Sequence, residues 1–202
     1  MKKKKNVKKK YSNKHVVAND SDKYLINLMK VNIIVAYDLD GNIGKRGMLP
    51  WLPVKEDMRY FARNTSAGLR PAVIMGRKTW ESIPERHRPL KNRMNVIVSS
   101  TMNDIDHDGC YVVKSIQEGT SLASRLNVDT LWVIGGASMY KSFLVGGVDK
   151  VYVTVMKDRY EDCDTKFPVE CLGKEFIVDH EYDFYDECGN NPFSFKTYIR
   201  QQ

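Results

Sequence analysis

Six short apolar runs rich in β-branched residues, separated by stretches of helical periodicity, constrain what this chain can fold into. They are VNIIVAY (31–37), PAVIMG (71–76), MNVIVSS (94–100), CYVV (110–113), TLWVIGG (130–136) and KVYVTVM (150–156). Apolar character sustained over so few residues is that of a strand buried on both faces. Between and beside them, VKEDMRYFARNT (54–65), KTWESI (78–83), SIQEGTSLASRL (115–126) and ASMYKSFL (137–144) space their apolar residues as helices do. Doubly buried strands alternating with helices predict a single α/β domain, with a central, mostly parallel twisted sheet and helices on both faces. KEFIVDHEYDF and PFSFKTYIR near the end alternate more, which predicts an antiparallel C-terminal edge.

At 202 residues the chain has room for one full core and not for two of ordinary size. Residues 1–30 hold ten lysines against Asp20 and Asp22, or +8, so the +7 of the whole chain leaves −1 for residues 31–202. The opening MKKKKNVKKKYSNKH has no apolar segment and reads as neither a secretory signal nor an anchor. Its lysines repel one another, so residues 1–30 are expected to be a disordered, solvated tail, with nuclear targeting or nucleic-acid contact as the functional alternative. No apolar run approaches the roughly 18 residues of a membrane span. Cys110, Cys163, Cys171 and Cys188 form no C-x-x-C pair and the four histidines are scattered. Reduced thiols, a cytoplasmic location and no metal site are therefore expected.

In a parallel sheet, ligands bind beyond the carboxyl ends of the strands. Four such junctions are unusual here. AYDLDGNIGKRGMLPWLP is long, punctuated by Gly and Pro and sprinkled with apolar residues, as a lid would be. MGRKTWESIP puts two cations and Thr79 at a helix start, and WVIGGASMY puts two glycines before another, both suited to phosphate. Ser99 and Ser100 end a strand, and Lys114 ends the next. Two phosphate-suited junctions with extra cations suggest a phosphorylated dinucleotide such as NADP(H).

In order and spacing, IVAYDLDGNIGKRGMLPW, DMRYFARNT, VIMGRKTWESIPERHRPLKNRMNVIVSS, VIGGASMY, VYVT and DTKFP resemble the dihydrofolate reductase family over residues 31–202. PERHRPLKNR, and the six-residue step from Trp51 to Asp57, look like the eukaryotic or viral members. The resemblance implies NADPH-dependent reduction of 7,8-dihydrofolate to 5,6,7,8-tetrahydrofolate, with hydride to C6 and a proton to N5, by a monomer acting on a small molecule. Another reductase on this fold, such as the pyrimidine reductase of riboflavin synthesis, would share the glycine junctions but has no reason to keep Trp51, Asp57 and Arg93 together.

Residue by residue, the resemblance makes Asp57 the carboxylate that pairs with the pterin. Thr154 is its hydrogen-bond partner and Trp51 helps hold an ordered water. Val35, Ala36, Met58, Phe61, Ile83, Leu90 and Ile134 would line the pterin and benzoyl pocket. Arg93 would meet the glutamate tail, while Arg86 and Arg88 read as surface charges. For the cofactor, Gly76, Arg77, Lys78 and Thr79 match one phosphate-binding helix start, with Ser99, Ser100 and Lys114 at the adenosine end. Gly135, Gly136, Ala137, Ser138 and Met139 match the other, and the family's Gly-Gly bond is cis. Ala36, Ile43, Gly44, Leu49, Ile134 and Tyr140 match contacts near the nicotinamide, Tyr140 facing the substrate as well. Ser138 and Ser100 stand where other members carry Arg, so the cationic clamp is expected to rest on Arg77 with Lys78 or Lys114.

Overall fold

The computed structural model describes residues 29–201 except 106 and 174; the expectation of a disordered tail falls almost wholly outside them. Along the chain run β1 (Lys30–Tyr37), β2 (Asn42–Gly44), α1 (Lys55–Thr65), β3 (Pro71–Gly76), α2 (Arg77–Ser82), β4 (Met94–Val98) and β5 (Cys110–Val113). Then follow α3 (Ile116–Arg125), β6 (Thr130–Val133), α4 (Ala137–Gly146), β7 (Lys150–Met156), β8 (Thr165–Lys166), β9 (Phe176–Phe184) and β10 (Phe193–Arg200). Because β1 starts at Lys30 and Met29 packs against the core, the domain begins slightly before residue 31.

Eight strands form one sheet in the order β5-β4-β3-β6-β1-β7-β10-β9. All neighbouring pairs are parallel except those made by β10, which is antiparallel to both β7 and β9. The terminal pair thus closes the sheet as expected, although the last strand of the chain lies one place in from the edge. Period-two alternation divides the apolar residues between two cores. Ile33, Val35, Ile74 and Val133 join α3 and α4 on one face, whereas Ile34, Met75, Ile97 and Trp132 join Tyr60 of α1 and Trp80 of α2 on the other. Gly119 lets α3 lie close to the sheet: a Cβ there would come within 2.8 Å of Ile74 Cδ1 and 3.2 Å of Val96 Cγ1.

One pairing escapes the sequence periodicity. β2 and β8 form a separate two-stranded sheet, which ties the root of the long 38–54 connection to the segment after β7. Runs of three and two residues are too short to register as strands by pattern.

Candidate active site

α1 sets the geometry. Asp57, Tyr60, Phe61 and Thr65 share the face it turns inward. Asp57 therefore stands where periodicity would put a hydrophobe, and only 5% of it is exposed. The helix N-cap is Val54 and no side chain caps it, so Asp57 is not serving as a cap. Its Oδ1 accepts a 2.6 Å hydrogen bond from Thr154 Oγ1, which β1–β7 pairing holds beside Ala36. Among the described residues no other hydrogen bond reaches the carboxylate, and Oδ2 stays open. Burial pushes the Asp57 pKa up, and the Thr154 hydroxyl partly opposes that. A carboxylate held by one oxygen at the edge of an apolar cluster is an acceptor arranged for paired N–H donors.

Eight residues along the same face, about 12 Å at the helical rise, Thr65 marks the other end. Its hydroxyl donates to the Phe61 carbonyl at 2.7 Å and accepts from Arg93 Nη1. Arg93 Nε donates to the Lys91 carbonyl at 2.9 Å, and its guanidinium lies 6.0 Å from the Phe61 ring centroid. The loop carrying Arg93 is shaped by Asn95, buried at the start of β4. Asn95 Oδ1 accepts from Leu90 N at 3.0 Å, and Nδ2 donates to the carbonyls of Leu90 at 2.9 Å and Arg93 at 3.0 Å. Thr65 and Asn95 were missed by sequence reading. The available signals were a polar residue eight places after Asp57 and an asparagine inside an apolar strand.

Between the two ends, Ala36, Phe61, Ile83, Leu90, Trp51 and Ile134 belong to one apolar cluster, and Met58 is partly exposed on α1. Val35 is a correction: its side chain enters the opposite core, because strand alternation sends Ile34 and Ala36 to the Asp57 side. Only the Val35 backbone is available there, and Ile34 was overlooked. Trp51 is buried with its ring centroid 5.4 Å from that of Tyr160; Nε1 finds no acceptor among the described residues.

The long 38–54 connection is latched at its root. Asp38, fully buried, accepts from the backbone N–H of Asp40 (2.9 Å), Asn42 (2.8 Å) and Tyr160 (2.9 Å) and from Asn42 Nδ2 (2.8 Å). Burial alone would raise its pKa, but these hydrogen bonds outweigh that and hold it below the ordinary value. Farther along, Arg46 N–H donates to Asp164 Oδ2 at 2.7 Å. Beyond the turn at Arg46 and Gly47, both at positive φ, Met48 is 69% and Leu52 87% exposed. Gly44 packs against Thr165 in the β2–β8 pair, where a Cβ would meet the Thr165 Cβ at 3.1 Å, and Ile43 packs on the α4-side core. Both contribute to the latch, while Leu49 stays partly exposed on the loop.

At the carboxyl ends of the adjacent strands β3 and β6, the two phosphate-suited junctions touch. Gly76 N–H donates to the Gly135 carbonyl at 2.8 Å. Gly135 has φ +119°, and a Cβ there would lie 3.2 Å from Tyr140 Oη and 3.3 Å from Thr79 Oγ1. The Gly135–Gly136 peptide is cis, and neither α2 nor α4 carries a side-chain cap. Ala137 and Ser138 remain accessible, but Met139 and Tyr140 turn into the core. The Tyr140 hydroxyl is spent on the Ile34 carbonyl at 3.0 Å, so it supports the turn from beneath. Arg77 pairs with Glu81 at 2.9 Å, and Lys78 and Ser100 are exposed. Ser99 Oγ accepts the N–H groups of Thr101 and Met102 at 3.3 and 3.0 Å, while Lys114 Nζ holds the Met102 carbonyl at 3.1 Å.

A sequence model of the dihydrofolate reductase family matches residues 30–200. The chain is similar to the dihydrofolate reductase of Gallus gallus, 36% identical over 182 residues that cover 83% of this chain and 95% of the relative. It is 37% identical over 149 residues to a viral dihydrofolate reductase of Saimiriine herpesvirus 2, covering 70% of each. Against a putative dihydrofolate reductase of Caenorhabditis elegans it is 41% identical over 143 residues, 66% of this chain and 75% of the relative.

Proposed function

The chain belongs to the dihydrofolate reductase family and reduces dihydrofolate, and from that premise we propose that NADPH is the hydride donor and that Asp57 and Arg93 hold opposite ends of the substrate. The observation that carries this reading is the placement of a buried, half-open carboxylate and a pinned guanidinium at the two ends of one helix face. That face spans about 12 Å of apolar lining, a layout suited to a flat heterocycle joined to an acid tail.

The residues fit a dinucleotide. Gly135, at φ +119° and packed against Tyr140 and Thr79, holds the turn in a conformation that an L side chain would strain, and α4 starts beside it with uncapped N–H groups suited to a pyrophosphate. Thr79 faces the same turn, and Arg77, Lys78, Ser100 and Lys114, just beyond the carboxyl ends of β3, β4 and β5, are the polar groups assigned to the adenosine end. When bound, NADPH supplies the hydride for C6 of the pterin.

The chain's own part is positioning and exclusion of water. Asp57 accepts from the 2-amino group and neighbouring ring N–H of the pterin, which fixes the ring's face and orientation. From that position it does not reach N5, so the N5 proton is assigned to a water admitted under the lid, with Trp51 Nε1 as an anchor. Thr154 keeps Asp57 oriented and favours its ionised form. The catalytic unit is the folded domain, acting as a monomer in the cytoplasm, and the Lys-rich segment has no part in turnover.

Loss of absorbance from NADPH on addition of dihydrofolate is the direct test, repeated with NADH. A large excess of kcat/KM for NADPH is expected, though softened because Arg77 is already paired with Glu81. Equal rates with NADH would remove the assignment of the cationic residues. Deleting residues 1–28 is expected to leave kcat and KM unchanged.

A further inference from the structure

α1 carries its cations on the side that the active site does not use. Lys55, Arg59 and Arg63 follow one another at four-residue steps and all three are exposed. At about 100° per residue, Arg59 points about 200° away from Asp57, so the row runs down the outer face of the helix for about 12 Å. The other residues of that face are the small Ala62 and, just past the helix, Ser66. Little neutralises the row. Arg59 has Glu56 at 3.9 Å, a loose contact for a side chain that is 67% exposed, and the Arg63 guanidinium lies 5.9 Å from the Tyr60 ring centroid. Among the described residues no carboxylate pairs with Lys55, Arg63 or Arg70.

The row leads to the start of the domain. Arg70 is exposed at the foot of β3, where its carbonyl accepts the Asp129 N–H at 3.2 Å, and the Asp129 carbonyl accepts the Lys30 N–H at 3.0 Å. Arg70 and the exposed Lys30 therefore stand on strands two places apart, about 10 Å at the sheet spacing. Asp129 lies between them, but its carboxylate is turned into the backbone: Oδ2 accepts the N–H groups of Leu69 at 2.6 Å and Arg70 at 2.9 Å, and Oδ1 is buried. Upstream of Lys30 in the chain stands MKKKKNVKKKYSNKH, eight lysines in fifteen residues with no acid. Residues 31–202 carry a net charge of only −1, so cations gathered along one line are a segregation of charge. We propose that the outer face of α1, Arg70 and Lys30 form one track with the Lys-rich N-terminal segment, and that it binds nucleic acid through backbone phosphates without regard to sequence. The planar fork of arginine suits phosphate, and spaced cations on a rigid helix suit a ligand of repeating charge. An anionic membrane fits less well, because a membrane-surface helix offers apolar residues beside its cations. α1 turns its apolar face into the core, and Leu69 is the one large apolar residue exposed between α1 and β3. The track faces away from Asp57, so its occupancy leaves turnover unchanged.

The test is fluorescence anisotropy of labelled single-stranded RNA and duplex DNA, each in two unrelated sequences, over a salt series. Three full-length proteins are compared: wild type, Lys55→Gln/Arg59→Gln/Arg63→Gln/Arg70→Gln, and a form with glutamine at the eight lysine positions of residues 1–15. Wild type should bind both sequences alike, with Kd of about 1–100 µM near physiological salt. The four-site variant should bind at least about tenfold more weakly, and its salt dependence on the duplex should flatten by up to about 0.9 for each cation removed. NADPH-linked turnover of dihydrofolate, read on the same preparations, should keep its kcat and KM and reports the active site separately. Arg59→Gln alone should weaken binding about two- to threefold, which keeps the track testable if the four-site variant fails to fold. Loss confined to the lysine-substituted form, with the four-site variant and Arg59→Gln both at the wild-type Kd, would overturn the track. So would absence of binding below about 1 mM, or binding to polyglutamate or to phosphatidylserine vesicles as tight as to nucleic acid at equal charge.

Discussion

Asn95→Ala removes the template of the Arg93 loop, and its consequences can be worked from the contacts. Asn95 is 1% exposed and makes three side-chain hydrogen bonds to the backbone of Leu90 and Arg93. At about 0.5–1.5 kcal/mol net for each, the loss is about 1.5–4.5 kcal/mol, weighted to the upper half because the freed Leu90 and Arg93 groups are partly buried. At about 2–4 °C per kcal/mol for a domain of this size, Tm should fall by about 6–18 °C. The loop also sets where Arg93 presents its open edge, so KM for dihydrofolate should rise roughly tenfold, the order of one charge-assisted hydrogen bond. KM for the glutamate-free substrate and kcat should move little. Differential scanning calorimetry and steady-state kinetics on the same preparation give both numbers. Asn95→Asp keeps the acceptor for Leu90 N but sets a carboxylate against two carbonyls, so at neutral pH it should be at least as unstable. A Tm within about 2 °C of wild type would refute the energetic argument. A lowered Tm with unchanged KM for dihydrofolate would refute the link to Arg93.

Four further outcomes follow from the same geometry. Asp57→Asn should lower kcat/KM at neutral pH by at least about a hundredfold, since a neutral amide cannot accept both pterin donors; full activity would exclude Asp57 as the anchor. Because burial raises the folded pKa of Asp57 above its ordinary 3.8, its contribution to stability is whole below that value and is lost as pH rises through the folded pKa. Relative to Asp57→Asn, wild type should therefore lose stability in urea titrations as pH is raised from about 3.8 towards neutrality, and a trend in the other direction would contradict the burial argument. Gly135→Ala should cost roughly 1–3 kcal/mol for the positive φ alone and weaken NADPH binding measured by fluorescence more than it weakens dihydrofolate binding; equal effects would argue against the cradle. Asp38→Ala deletes four hydrogen bonds at the lid root and should increase acrylamide quenching of Trp51, read in a variant lacking Trp80 and Trp132, while an unchanged quenching constant would separate the latch from Trp51.

Much of the fold was legible because its signal is local. Each of the six parallel strands coincides with an apolar run to within a few residues, PAVIMG, CYVV and KVYVTVM without any offset, since burial leaves few polar positions to blur the pattern. The four helices followed from apolar spacing. What escaped was short or depended on partners. β2 and β8 exist only because they pair with each other across more than 120 residues of chain. Asp38 gave no sign of burial in sequence, because four donors from the loop and the Tyr160 segment compensate it only once both are in place.

For the site, sequence alone determined which residue types stand at the strand ends and beside them: the glycines of the 135–136 turn, the aspartate beside the apolar face of α1 and the arginine after RPLKN. Those identities are covalent facts, and their spacing along helix and strand already implies who shares a face. The tertiary structure decided what each is free to do. It turned Val35 away and brought Ile34 in, spent the Tyr140 hydroxyl on a carbonyl, and left one Asp57 oxygen open while Thr154, 97 residues on, held the other. It also gathered Arg86, Arg88 and Lys91 around Arg93 in one recess. A side chain's identity is local, but its burial, its partners and its unused hydrogen-bonding capacity depend on chain segments that only packing brings together.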